Sequence, residues 1–157
     1  IENLIYRFHV QYGQNEIKDV VENIPNINIS LREDTTIDFY NILYESKLVI
    51  NSSDYTANLQ SLIINIPTIW YWDRNYHTIR QESQKYYDIL LENGILFYDE
   101  TKFLNHLNKI INDPISWWRS DKIQKARKKF CDNFCRVSKN IEDSFFEISN
   151  LIVNQKK

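Results

Sequence analysis

The sequence predicts an α/β domain of Rossmann-like type, with three layers, a mostly parallel sheet and extra helices at its carboxyl end. Short β-branched apolar runs alternate along the chain with amphipathic segments of helical length. The clearest instance is the segment 47–72, which has the pattern of a strand, a polar turn, a helix, a proline and a second strand. This alternation favours parallel strands joined by right-handed crossovers, with helices on both faces of the sheet.

The first elements follow from apolar runs and their terminators. The first predicted strand covers residues 4–8 and runs up to His9. A helix fits residues 15–22, where apolar side chains recur at helical spacing, and Pro25 closes it. A short second strand at 27–30 follows.

The middle of the chain carries the strongest pattern. Acidic and threonine residues at 33–36 cap a helix over 37–44, and the third strand covers 47–51. Serines and an aspartate then supply helix-capping chemistry for a helix over 54–65, and the fourth strand covers 68–72. The apolar side chains of the helix over 54–65 recur three and four residues apart: Leu59, Leu62, Ile63 and Ile66.

Beyond the fourth strand the chain becomes richer in charged and aromatic residues. A polar and aromatic loop at 73–78 leads into a helix over 80–93, which Gly94 ends as its C-cap residue. A fifth strand is predicted at 95–98 and a further helix at 100–112.

The carboxyl end is predicted to be helical. Pro114 suits the first turn of this region, which we expect to form two helices that meet near 138–140. Adjacent helical residues diverge by about 100°, so at most one of Trp117 and Trp118 can point fully into the core. We therefore predict a boundary after residue 116: residues 1–116 form the Rossmann-like domain, and the helices of 117–157 pack on it or on a missing amino-terminal domain of the same protein.

The composition argues against several classes of protein and of binding site. A net charge of -2 and a pI near 5.9 give no reason to expect a nucleic-acid partner. No run approaches the roughly 20 apolar residues that span a bilayer, so we expect a cytoplasmic protein. With only Gly13 and Gly94 in the chain, no G-x-G-x-x-G loop exists, which argues against ordinary NAD or FAD binding. The chain starts at Ile1 and contains no Met, so we expect a piece of a longer protein.

Three local patterns have both a functional and a structural interpretation. Cys131 and Cys135 share a helix face, but no histidine or carboxylate pattern accompanies them, so we expect reduced thiols and no metal site. The hydroxyl-rich loop at 52–56 follows a buried strand and opens a helix, which suits an anion, although it could be only a capping turn. In the next loop, the aromatic residues Trp72 and Tyr76 could stack on a base or could pack at the sheet edge.

The string S-S-D-Y-T-x-x-L-Q-S-L-x-x-N-I-P-T-I, which starts at Ser52, resembles the carboxyl-terminal domain of GT-B-type transferases that build bacterial surface carbohydrate. It is most similar to surface-polysaccharide transferases and, more widely, to CDP-glycerol glycerophosphotransferases, which carry Ser-Asp-Tyr-Ser-Ser at this loop. Ala57 departs from the final hydroxyl of that pattern. The resemblance extends over most of the chain, from the Tyr-Arg-Phe-His run at 6–9 to the segment 113–134.

The resemblance implies that this chain is the donor-binding half of a GT-B fold. Ser53, Tyr55 and Thr56 would then face the donor phosphates, with Asp54 as a helix cap. Arg7 and His9 would stabilise the same phosphates. Gln60 stands where many relatives carry a glutamate that holds ribose hydroxyls, and its amide oxygen accepts a hydrogen bond without bringing charge.

The implied reaction transfers a nucleotide-activated sugar or polyol phosphate to a hydroxyl acceptor in cell-surface polysaccharide biosynthesis. No metal or other cofactor is expected in this half, and the chain alone is expected to bind nucleotide weakly and to turn over nothing. The alternatives are a flavodoxin-like or response-regulator-like binding module, or a non-catalytic scaffold, which Gln60 favours.

The location of such an enzyme would be the cytoplasm, at the inner face of the cell membrane. A basic run near the carboxyl end is interpreted as a solvated helix face that could rest against an anionic membrane surface. Its residues are Lys125, Arg127, Lys128 and Lys129. His106 falls inside an amphipathic helix and is expected to be structural.

Overall fold

The computed structural model of the chain describes six ranges. They are residues 4–7, 22, 27–30, 39–52, 56–75 and 78–135. The chain divides into two compact units, Ile1–Glu45 and Ser46–Lys157. The predicted boundary after residue 116 is a different division and stays a prediction.

The first unit contains a two-stranded parallel ladder and a helix. Strand β1 covers Leu4–Arg7, and strand β2 covers Ile27–Ser30. Leu4 pairs with Ile27 at one end of the ladder, and Arg7 pairs with Ser30 at the other. Helix α1 covers Phe39–Glu45. Both strands therefore form where the sequence predicts them, whereas the helix predicted at 15–22 lies outside the described residues apart from Glu22.

The second unit is built on a three-stranded parallel sheet with the order β3-β4-β5. The strands are β3, Val49–Asn51; β4, Thr68–Tyr71; and β5, Leu96–Phe97. Helix α2, Thr56–Ile63, connects β3 to β4, and helix α3, Gln81–Glu92, connects β4 to β5. Each parallel pair is thus joined by a helical crossover, as parallel strands require.

The described part of this unit contains three further helices. They are α4, Glu100–Ile110; α5, Pro114–Arg119; and α6, Asp121–Phe134. Helices α5 and α6 are separated at Ser120, a break that the sequence analysis does not predict, whereas the predicted meeting point near 138–140 lies outside the described residues. Ser120 is extended, with φ -61° and ψ 142°, and its hydroxyl donates to the carbonyl oxygen of Trp117 at 2.8 Å. The Ser-Asp pair at 120–121 thus ends one helix and begins the next.

The helices cover the sheet on both faces, which confirms the α/β Rossmann-like prediction. On one face α2, α3 and α6 enclose an aromatic core around Trp70, which is 1% exposed. Phe130 of α6 packs edge-on against Trp70, with 5.4 Å between ring centroids. On the other face, Phe103 and Ile110 of α4 pack over Ile69. No helix in the described part of the chain is long and apolar enough to cross a membrane.

A hydrogen-bonded corner ties the terminal helices to the turn after α2. Asn65 adopts a left-handed backbone with φ 61°. Its side-chain oxygen accepts from the Trp118 indole at 2.8 Å and from Gln124 at 3.2 Å. Arg127 donates to the carbonyl oxygen of Leu62 at 2.8 Å, which satisfies the carboxyl end of α2.

Arg127 therefore departs from the predicted solvated face. It is half-buried, because its guanidinium reaches the end of a neighbouring helix. The three lysines of the same run are exposed, as predicted, and Lys128 pairs with Asp132 at 2.6 Å. Ile63 is a second departure, since it is 40% exposed although its spacing assigns it to the apolar face of α2.

Candidate functional site

The carboxyl ends of β3, β4 and β5 form one edge of the sheet, called the carboxyl edge below. In open α/β sheets, ligands bind in the crevice outside this edge. The residues that follow the strands there are Ser52, Trp72 and Tyr98. Helices α2, α3 and α4 begin after the three loops that leave this edge.

Helix α2 differs from its neighbours in the charge of its first turn. It has no acidic residue there, whereas α3 carries Glu82 and α4 carries Glu100. In α4, the Asp99 side chain also accepts from the backbone nitrogen of Lys102 at 2.7 Å. Because a helix N-terminus favours negative charge, the α3 and α4 termini are already partly neutralised by the protein's own carboxylates. The first turn of α2 contains no carboxylate of its own that would oppose an external anion, while Asp54, the predicted cap of this helix, lies outside the described residues.

Asn51, the last residue of β3, carries a buried donor at this edge. Its side-chain Nδ2 is buried and has no hydrogen-bond partner within the described ranges. Its register partner is Trp70, whose indole nitrogen is likewise buried and unpartnered there. Leaving a buried donor unpaired costs about 1 to 3 kcal/mol. An acceptor oxygen that reaches Asn51 would therefore be bound favourably.

The structure describes only some of the predicted site residues. Thr56 is the first residue of α2 and is exposed, and Gln60 lies one turn later and is half-buried. Ser53, Tyr55 and the predicted cap Asp54 lie outside the described residues. Their predicted roles stay predictions.

The residues predicted on the early strand belong to the first unit. Arg7 is the last residue of β1 and pairs with Ser30, while His9 lies outside the described residues. Their predicted contact with the donor phosphates stays a prediction.

The residues that follow β4 include both a core residue and candidate site residues. Trp72 is 2% exposed and packs against Trp70, with 5.7 Å between ring centroids, so it belongs to the core and not to a stacking surface. Tyr76 and His77 lie outside the described residues, and Arg80 is exposed at the N-cap position of α3. Arg74, an exposed cation in this loop, is not singled out by any sequence pattern.

His106 is structural, as predicted. Its ring lies between Phe97 and Trp117, at centroid distances of 5.1 and 5.2 Å, and Nε2 is buried without a partner in the described part. Gly94, with φ 71°, makes room for it, because a Cβ there would lie 3.2 Å from the His106 Cε1 atom. Burial lowers the pKa of His106 below its ordinary 6.5, and the charge of Lys109 lowers it further.

This shift makes stability depend on pH. In the folded protein His106 takes up its proton at a lower pH than in the unfolded chain, where its pKa is 6.5. Between these two pKa values the unfolded chain therefore binds more protons than the folded protein. The free energy of unfolding should therefore fall as the pH drops from about 6.5 through the folded pKa. The test is urea denaturation of wild type and His106→Phe at several pH values. The two proteins should differ in their free energy of unfolding by a constant packing contribution plus a pH-dependent part, and the pH-dependent part should shrink towards neutral pH. Parallel curves over the whole range would contradict this expectation.

The two cysteines are free thiols near the end of α6, Cys131 half-buried and Cys135 buried. A hydrogen bond from the Cys135 thiol lowers the pKa of Cys131, and the same contact raises the pKa of Cys135. Among the described residues, no group of three or more histidine, cysteine or acidic side chains could hold a metal ion.

Comparison with known proteins gives one family. The model of the LIC12162 family transferases matches residues 1–147. Neither the curated proteins nor the solved structures contain a significant match. The matched range includes the whole first unit, the second unit as far as residue 147, and every strand that the structure describes.

Proposed function

This chain belongs to the LIC12162 family of transferases, and from that membership we propose that it binds the nucleotide-activated donor of a group transfer. The donor would carry a sugar or a polyol phosphate, and the acceptor would be a hydroxyl group. We place the reaction in cell-surface polysaccharide biosynthesis at the inner face of the membrane, with this chain as the donor-binding half of a GT-B-type enzyme. Its missing partner would be an amino-terminal domain of the same protein.

The observation that carries the proposal is the Asn51 side-chain Nδ2 at the end of β3, which is buried and has no hydrogen-bond partner among the described residues, directly before the loop that opens α2. A diphosphate supplies acceptor oxygens and negative charge together. The oxygens suit Asn51 and the Thr56 hydroxyl, and the charge suits the first turn of α2, which contains no carboxylate. Donors already in place where the leaving nucleotide develops charge stabilise the transition state.

The remaining predicted residues have roles in the same proposal. Ser53 and Tyr55 would donate to the phosphates from the loop, and Gln60 would accept from a ribose hydroxyl. Arg7 would pair with two phosphate oxygens, and His9 would donate to the same group. A non-catalytic scaffold is the second candidate, because Gln60 replaces the glutamate of the resembling transferases.

Titration calorimetry with CDP, UDP and CMP tests the proposal. We expect at least one of these nucleotides to bind wild type. Asn51→Val and Thr56→Val should each weaken that binding about tenfold or more, because a hydrogen bond to a charged group contributes about 1.5 to 3 kcal/mol. Asn51→Val should meanwhile keep or raise the melting temperature, since it removes a buried donor that has no partner in the described part of the chain and adds a strand-favouring side chain.

Thr101→Val is the matched control, because Thr101 is exposed in the first turn of α4 next to Glu100. It should leave nucleotide affinity unchanged. Absence of binding by all three nucleotides would reject the donor-site proposal. Transfer activity that survives Thr56→Ala and Arg7→Ala in the full-length enzyme would leave these two residues only a structural role.

A further inference from the structure

Arg74 is held in a fixed position at the carboxyl edge. It lies in the loop after β4, three residues beyond the strand end Tyr71. Its guanidinium carbon lies 5.3 Å from the ring centroid of Tyr98, which follows β5. Its Nη2 atom donates to the Gln84 side-chain oxygen at 3.3 Å. The side chain thus connects the ends of two neighbouring strands with the second turn of α3.

A second hydrogen bond orients the residue that holds Arg74. The Gln84 side-chain nitrogen donates to Asp88 Oδ1 at 2.8 Å. Since a carboxylate only accepts, the amide nitrogen must face Asp88, and the amide oxygen is left to face the guanidinium. Asp88 therefore acts on Arg74 through Gln84 without forming an ion pair with it.

The charge of Arg74 is supported but not neutralised. Its contacts are an aromatic face and a neutral amide oxygen, and no carboxylate forms a salt bridge with it among the described residues. A guanidinium has five N–H donors in a planar fork, so one hydrogen bond leaves the others for a further acceptor. Stacking on Tyr98 restricts its rotamers before any ligand arrives. These are the properties of a pre-organised anion-binding arginine.

The position suits the donor proposed above. Neighbouring strands lie about 4.8 Å apart, and β4 lies between β3 and β5. A ligand anchored at Asn51 and the first turn of α2 therefore has the loop after β4 beside it, and the Arg74 guanidinium, which contacts Tyr98 after β5, lies about two strand spacings or roughly 10 Å from β3. A nucleoside diphosphate has the length and the charge to contact both.

We propose that Arg74 is a substrate-binding residue that contacts the diphosphate of the nucleotide-activated donor, and that Gln84 is its positioning residue. This inference rests on the proposed function. Arginine binds phosphate through two parallel hydrogen bonds, whereas lysine presents a point charge. Arg74→Lys should therefore retain only part of the affinity, and Arg74→Gln should lose the charge and the fork together.

The experiment compares the affinity of CDP and UDP for wild type, Arg74→Gln and Arg74→Lys by titration calorimetry at two salt concentrations. We expect Arg74→Gln to weaken diphosphate binding about tenfold or more and to reduce its salt dependence, with Arg74→Lys intermediate. Melting temperatures should stay close to wild type, because Arg74 is exposed. Arg119→Gln is the matched control. Arg119 is exposed on α5 beside Trp118, whose indole donates to Asn65. Asn65 precedes the amino end of β4, whereas Arg74 follows the carboxyl end of the same strand. The Arg119→Gln variant should bind like wild type.

Gln84→Leu separates positioning from general stability. It should weaken diphosphate binding in the wild-type background and have no further effect in the Arg74→Gln background, which a merely structural role would not produce. If wild type binds CDP or UDP and Arg74→Gln binds equally well, the assignment of Arg74 is overturned while the donor site stands. If wild type binds neither nucleotide, the donor site and the assignment of Arg74 fail together.

Discussion

Trp118→Ala is expected to lower the free energy of unfolding by about 3 to 5 kcal/mol. Trp118 is 2% exposed, so its removal leaves a large cavity in the core. Its indole nitrogen also donates to the backbone and side-chain oxygens of Asn65, at 3.1 and 2.8 Å, and both oxygens would lose this donor, although the side-chain oxygen keeps its hydrogen bond from Gln124. Urea denaturation followed by far-UV circular dichroism measures the loss.

Trp117→Ala is the control for this change. The two tryptophans are adjacent on α5, but Trp117 is only half-buried and packs against His106 at 5.2 Å. Trp117→Ala should therefore lower the free energy of unfolding by less than Trp118→Ala does. Equal losses in the two variants would mean that the corner between Asn65 and Trp118 contributes nothing beyond the burial of an aromatic ring.

Asn65→Ala is expected to lower the free energy of unfolding by about 2 to 3 kcal/mol. Two costs combine here. Alanine in the left-handed region costs about 1 to 2 kcal/mol, whereas asparagine is tolerated there because its side chain can hydrogen-bond locally, and Asn65 has φ 61°. The loss of its side-chain oxygen also deprives Trp118 and Gln124 of an acceptor, although Trp118 keeps the Asn65 carbonyl. Thermal unfolding of matched variants measures the sum.

Two variants of the same position separate the costs. Asn65→Gly removes the side-chain oxygen but adopts a positive φ without strain, so it should recover about 1 kcal/mol relative to alanine. Asn65→Asp keeps an acceptor oxygen and tolerates the left-handed region, so it should lie closest to wild type. A glycine variant no more stable than the alanine variant would show that backbone strain is not part of the effect.

The candidate site was only partly predictable from sequence. The position of the polar loop at the carboxyl end of β3 follows from local patterning, because an apolar run, capping residues and helical spacing occur in sequence there. Asn51 and Arg74 were missed for different reasons. Asn51 reads as the polar end of a strand, and only the packed structure shows that its amide is buried without a partner in the described part. Arg74 reads as one charge in a polar loop, and only folding brings Tyr98 and Gln84 to it.

The terminal helices show the same limit. Helical spacing predicts that Lys125, Arg127, Lys128 and Lys129 lie on an accessible face, and this holds for the three lysines. Arg127 instead reaches the carbonyl oxygen of Leu62, 65 positions away along the chain. The break at Ser120 has a local signal, a serine before an aspartate, but the same pair occurs at 53–54, so the signal alone does not say where a continuous helical pattern is interrupted.

By itself, the sequence determined the α/β class, the order of strands and helices, and the parallel pairing, because alternating apolar periodicities and turn residues act over short distances. The family relationship agrees with the transferase class that the motif around Ser52 suggested. The tertiary structure decided which of the two tryptophans enters the core, which basic residue becomes a helix tie, and which polar groups gather at the carboxyl edge. Those outcomes depend on contacts between residues far apart in the chain, such as the hydrogen bond between Trp118 and Asn65. Such a contact stabilises the protein only once the helices have packed, so local sequence patterns do not reveal it.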